Sequence, residues 1–139
     1  MGLDWGRMRM RALLKPGSSA VASLLLAVSL SQAHHGDAGR YTETVKTVTG
    51  SVVEFQFINP HSMLIIAVED ENGDIVEWYG ELGPPNSLQN RWGWDKDTFQ
   101  VGDVLTMTGR SLKNGGPYMT LSELSRLQDA EGNEIYVGD

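Results

Sequence analysis

The stretch VKTVTGSVVEFQFI, residues 45–58, decides how this sequence folds. It is rich in valine, threonine and phenylalanine and holds no proline, which is the composition of a β-strand. Val45, Val53, Phe55 and Phe57 share one parity, and Val48, Val52 and Ile58 share the other. Side chains alternate between the two faces of a strand. A strand with apolar residues on both parities must therefore change its buried face along its length. Gly50 is the predicted corner, because a glycine inside a strand often marks a tight bend in a closed sheet.

Downstream, Asn59-Pro60 ends the strand, since proline has no N–H to give to a ladder. Residues 63–69 and 75–79 read as a second and third strand around Glu71-Asn72-Gly73-Asp74, where Asn-Gly predicts a tight primed turn. Gly83-Pro84-Pro85 breaks the sheet. Asn86 is the predicted cap of a short helix to about Trp92, with Gly93 as its stop. Leu88 and Trp92, four apart, would share its inner face. Val101-Gly102-Asp103 turns into a fourth strand at 104–109. Asn114-Gly115-Gly116-Pro117 precedes a fifth at 118–127, and a hairpin at 131–133 returns through 134–137. This order predicts a mainly β fold, a small OB-fold-like barrel of five to six strands with one short helix between strands 3 and 4. Closure would remove exposed edges. An open sandwich is the alternative.

Upstream, residues 1–33 have the three parts of a secretory signal. Arg7, Arg9, Arg11 and Lys15 form a positive region. The apolar run AVASLLLAVSL occupies 20–30, and Ser31-Gln32-Ala33 fits a cut after Ala33. The run is shorter than the roughly 20 residues needed to span a bilayer. The expected protein is periplasmic, with a flexible leader at 34–44 and a single β-barrel domain at 45–139. The signal would remove four of 11 basic and one of 18 acidic residues, leaving seven basic against 17 acidic, a net charge of −10. Such a chain repels nucleic acid and anionic membrane surfaces, so no nucleic-acid partner and no membrane span after cleavage is expected. The absence of cysteine excludes disulfides, thiolate metal sites and cysteine nucleophiles.

All three histidines, His34, His35 and His61, fall after the predicted cut. Cleavage at Ala33 would give His34 a free α-amine within one chelate's reach of its imidazole. Amine and imidazole nitrogens suit Cu(II), the strongest divalent binder of its series. The metal reading therefore takes His34, His35 and His61 as ligands and copper as the ion. A plain polar leader, with His61 bonded within its own turn, is the competing reading. The acidic run at 69–74 lacks the loop length and closing glutamate of a calcium-binding EF-hand and reads as a solvated hairpin tip.

Trp78, Tyr79, Trp92, Trp94 and Tyr118 form an aromatic set. Trp78 and Trp92 are expected in the core, and Trp94, between Gly93 and Asp95, is expected to be partly exposed. A second functional reading follows: a small ligand, glycan or envelope protein bound through an aromatic face with Trp94, Tyr118 and Asn59, and no metal. Glu54, Glu77 and Glu81 could approach one another across strands, but no catalytic motif is present, and the sequence points away from an enzyme.

The pattern His34-His35-Gly36, Thr49-Gly50-Ser51-Val52 with Phe55, and Asn59-Pro60-His61 resembles a family of small exported bacterial proteins of unknown function. The resemblance continues through Asn86-Ser87-Leu88, Arg91-Trp92-Gly93-Trp94, Val101-Gly102-Asp103 and Thr108-Gly109, covering nearly all of 34–127. It implies export and a small β domain, and no activity. The family usually has serine after the paired histidines, where this chain has Gly36.

Overall fold

A computed structural model describes residues 39–138. The predicted signal, His34 and His35 lie outside the described residues. Seven strands form one sheet: β1 (Tyr41–Gln56), β2 (Met63–Glu69), β3 (Ile75–Glu81), β4 (Val104–Leu112), β5 (Tyr118–Thr120), β6 (Arg126–Gln128) and β7 (Glu134–Val137). The short helix α1 (Pro85–Trp92) stands between β3 and β4, as the sequence predicts. Five strands close into a ring, β1–β2–β3–β5–β4–β1, in which β3–β5 is the parallel pair, and β6 and β7 extend it outward from β4. Among the described residues no helix is long and apolar enough to cross a membrane.

The ring closes because β1 serves two neighbours. Tyr41 to Ser51 pairs with β4, and Ser51 to Gln56 pairs with β2. The handover falls beside Gly50, where the sequence placed the corner. The change of buried face comes slightly later, at a β-bulge between Val52 and Glu54. One extra residue there flips the parity, so Val48 and Val52 enter the core while Phe55 and Phe57 pack against it from the other parity. The turn before β4 completes the bulge: Val52 N–H donates to the Asp103 carbonyl and Gly102 N–H donates to the Val52 carbonyl.

Four local expectations are corrected. β1 starts at Tyr41, four residues before the predicted Val45, and Tyr41 is buried. The β2–β3 hairpin has one positive-φ residue, Gly73 at 84°, so it is a longer turn closed by a left-handed glycine. Asp70 tightens it by accepting the N–H groups of Asn72 and Asp74. The cap of α1 is Pro84, with proline in the first turn, because fixed φ suits that position. The predicted fifth strand is two strands, β5 and β6, separated by a turn in which Leu124 takes φ 58°. Ser125 Oγ donates to the Ser122 carbonyl across that turn.

The core runs through the ring from Val48, Leu64, Ile66, Trp78, Leu105, Met107, Met119 and Leu127 to a cap under α1. The tryptophans of the helix end reverse the expectation. Trp92 is 36% exposed and Trp94 is 6% exposed. Gly93 adopts the left-handed conformation at φ 70° and donates to the Gln89 carbonyl, which ends the helix in an αL cap. The reversed chain drops Trp94 among Phe55, Phe99 and Tyr136, with ring centroids 6.3, 5.0 and 5.5 Å away. Trp94 is thus a core residue, and the ligand-facing role expected of it fails on burial.

Candidate ligand site

Glu81, the last residue of β3, is the centre of a polar cluster that gathers side chains from β1, β5 and the turn before β2. Its Oε2 accepts the hydroxyl of Tyr118 at 2.6 Å and that of Tyr41 at 3.2 Å. Its Oε1 is paired with His61 Nδ1. The sheet register brings these groups together. Met63 pairs with Glu81, which holds the turn carrying His61 beside the end of β3. Parallel β3–β5 pairing sets Tyr118 opposite Tyr79 and Thr120 opposite Glu81. Ser62 N–H donates to the Gly83 carbonyl and Leu82 N–H to the Ser62 carbonyl, fixing the turn next to the histidine.

Burial alone would raise the carboxyl pKa of Glu81, but hydrogen bonds from Tyr118, His61 and Tyr41 outweigh it and hold the group below the ordinary glutamate range. Burial first, then the bond to Glu81, pushes the Tyr118 hydroxyl well above the usual tyrosine range. The sign for stability follows from Glu81. Its folded-state pKa is depressed, so its contribution is complete above the unfolded value of about 4.3 and is lost as pH falls through the folded value. Wild-type protein is therefore expected to lose more stability than Glu81→Gln between roughly pH 5 and 3. Urea midpoints measured against pH check this. Parallel acid limbs for the two proteins would contradict it.

The imidazole of His61 is about half exposed (53%), whereas Glu81 is 21% exposed. In the neutral imidazole whose Nδ1–H is donated to this carboxylate, Nε2 is the nitrogen that carries the lone pair. This carboxylate–histidine arrangement is how proteins fix the orientation of an imidazole for metal binding. Tyr118 also stacks on Tyr79, with centroids 6.5 Å apart and planes 12° apart, and the Arg40 guanidinium lies 5.6 Å from the Tyr118 ring. Tyr79 donates to Glu77 at 3.1 Å on the outer face.

Beside this cluster, under α1, is a cleft of about 380 Å³. His61, Glu81, Arg91, Trp92, Ser122 and Tyr136 are among its lining residues.

Of the residues singled out in the sequence, His61 and Tyr118 meet at Glu81. Asn59 is exposed in the turn, its bond to Pro60 is cis, and it does not line the cleft. Glu54 and Glu77 do not join Glu81. Glu54 accepts from Gln56 and Glu77 from Tyr79. Among the described residues no group of three or more histidines, aspartates or glutamates is placed to hold a metal ion. Tyr41 escaped sequence reasoning because it was assigned to the leader. Its neighbours Thr42 and Thr44, strand formers, were the available signal.

A family profile described as "Family of unknown function (DUF6152)" matches residues 20–120. No curated protein and no solved structure shows significant similarity to the chain.

Proposed function

We propose, from the premise that the chain belongs to the DUF6152 family of unknown function, that it is an exported binding protein for a transition metal, with copper the best match. The observation that carries this reading is the oriented imidazole of His61, held through Nδ1 by a carboxylate that two tyrosines hold in turn. One oriented imidazole is an incomplete site. The chemistry of the remaining donors comes from the sequence: His34 and His35, with the amine that cleavage after Ala33 would free. Two imidazoles and an amine are the nitrogen set that favours Cu(II).

Isothermal titration with Cu(II) tests the proposal on protein beginning at His34. One extra residue ahead of His34 is expected to weaken binding at least about ten-fold. His61→Ala is expected to do the same, since even second-shell changes cost about 10- to 100-fold in metal affinity. Equal affinity in all three proteins would sink the reading. The exported form is expected to begin at His34, which mass spectrometry of the periplasmic fraction checks.

A further inference from the structure

The cleft under α1 shares its edge with the His61–Glu81 pair, but its helix side carries a chemistry of its own. At about 380 Å³ it falls within the range of small-molecule sites. Trp92 supplies an aromatic wall. Its ring centroid lies 5.4 Å from that of Tyr136, inclined at 47°, and the residue as a whole is 36% exposed. A partly exposed aromatic ring beside polar groups can take the apolar face of a ligand ring. Ser87 and Ser122 add hydroxyls. Ser122 Oγ shares a 3.0 Å bond with Thr120 Oγ1, and a hydroxyl that makes one bond retains capacity for another.

The charges in the cleft select against ions. An anion would find Arg91 but would also face Glu81 and Glu123, both of which line the cleft. A cation would look to those carboxylates. However, Glu81 already serves three donors, and Glu123 lies 3.7 Å from the Arg110 guanidinium. What the cleft adds to these charges is the Trp92 ring and the hydroxyls of Ser87 and Ser122.

We propose that this cleft binds a neutral saccharide, a mono- or disaccharide whose C–H face stacks on Trp92 while its hydroxyls exchange hydrogen bonds with Ser87 and Ser122. The inference does not rest on the metal reading.

The test is a ¹H–¹⁵N NMR titration of the His34-initiated protein in EDTA, with cellobiose, maltose and diacetylchitobiose as probes. Choline and inorganic phosphate serve as the charged probes. At least one disaccharide is expected to give saturable shifts of the Trp92 indole N–H and of the Ser87 and Ser122 amides. Trp92→Ala is expected to weaken that binding about ten-fold or more while leaving Cu(II) titration unchanged, so the two readings fail separately. Trp92→Phe keeps an aromatic ring at the helix end should the alanine variant not fold, and it is expected to bind several-fold more weakly than wild type. The proposal is overturned if no disaccharide saturates, if the shifts gather at Tyr79 and Tyr118 instead, or if only choline or phosphate binds.

Discussion

Gly50→Ala is expected to lower the unfolding free energy by about 3 kcal/mol, at the upper end of what overpacking usually costs. A Cβ built at Gly50 would lie 2.2 Å from the carbonyl oxygen of Ala67 and 2.8 Å from its carbonyl carbon. Both atoms are backbone, so no side-chain rotation can relieve the contact. Ala67 is also the partner of Ser51, the residue at which β1 passes from β4 to β2. Moving Ala67 aside would pull apart the one junction that closes the ring on this side. Gly83→Ala provides the control. Nothing lies within 4 Å of a Cβ there, and its φ is not positive. That variant is expected to stay within about 0.5 kcal/mol of wild type. Urea unfolding followed by tryptophan fluorescence measures both, and equal midpoints for the two variants would refute the close-approach argument.

The second large effect is at Glu81. Glu81→Ala removes the shared acceptor of Tyr41, Tyr118 and His61. Hydrogen bonds to charged groups contribute about 1.5–3 kcal/mol each when well buried. Glu81 remains 21% exposed and His61 about half exposed, so water replaces part of the loss. Tyr41, at 3% exposure, is far less able to recover a partner from solvent. The expected total is about 2–4 kcal/mol. Glu81→Gln keeps an acceptor oxygen and should recover part of it. A double-mutant cycle with Tyr118→Phe isolates the strongest contact, with a coupling of about 1 kcal/mol or more. A Glu81→Ala effect below about 1 kcal/mol would mean that the cluster is surface decoration. The two measurements separate roles: Gly50 acts on closure of the sheet alone, whereas Glu81 acts on stability and on the His61 imidazole together.

The fold was largely legible because its signals are local. Gly50, Asn72-Gly73, Gly93 and Val101-Gly102-Asp103 each mark a change of direction through backbone chemistry that neighbouring residues reveal. The split between β5 and β6 was not legible, because Ser122-Glu123-Leu124-Ser125 contains neither glycine nor proline, and its turn is held by Ser125 Oγ on a backbone carbonyl. The exchange of Trp92 and Trp94 has a similar cause. Helical spacing assigned Trp92 inward beside Leu88, but the direction of Trp94 depends on the path after the αL glycine, which no periodicity carries. Half of the site was visible in the sequence. His61 and Tyr118 stood out by residue type. Glu81 was visible only as one of three strand carboxylates, with Glu54 and Glu77, and parallel pairing with β5, which brings Tyr118 near it, is what sets it apart from Glu77. Tyr41 was hidden by the polar composition around it.

The dual pairing of β1 also governs the order in which the chain can assemble. The hydroxyls of Thr47 and Thr108, bonded across β1 and β4 at 2.9 Å, are 61 residues apart in sequence. The β2–β3 hairpin can form from its own residues, but the first half of β1 stays unpaired until β4, at Val104–Leu112, is available. High contact order of this kind places folding in the slow part of the range for small domains, roughly milliseconds to seconds. A chain emerging amino-end first from a ribosome or a translocation channel therefore holds a threonine- and valine-rich edge open for that interval. The same strand that seals the finished ring is, until β4 arrives, the segment most exposed to pairing with the wrong partner.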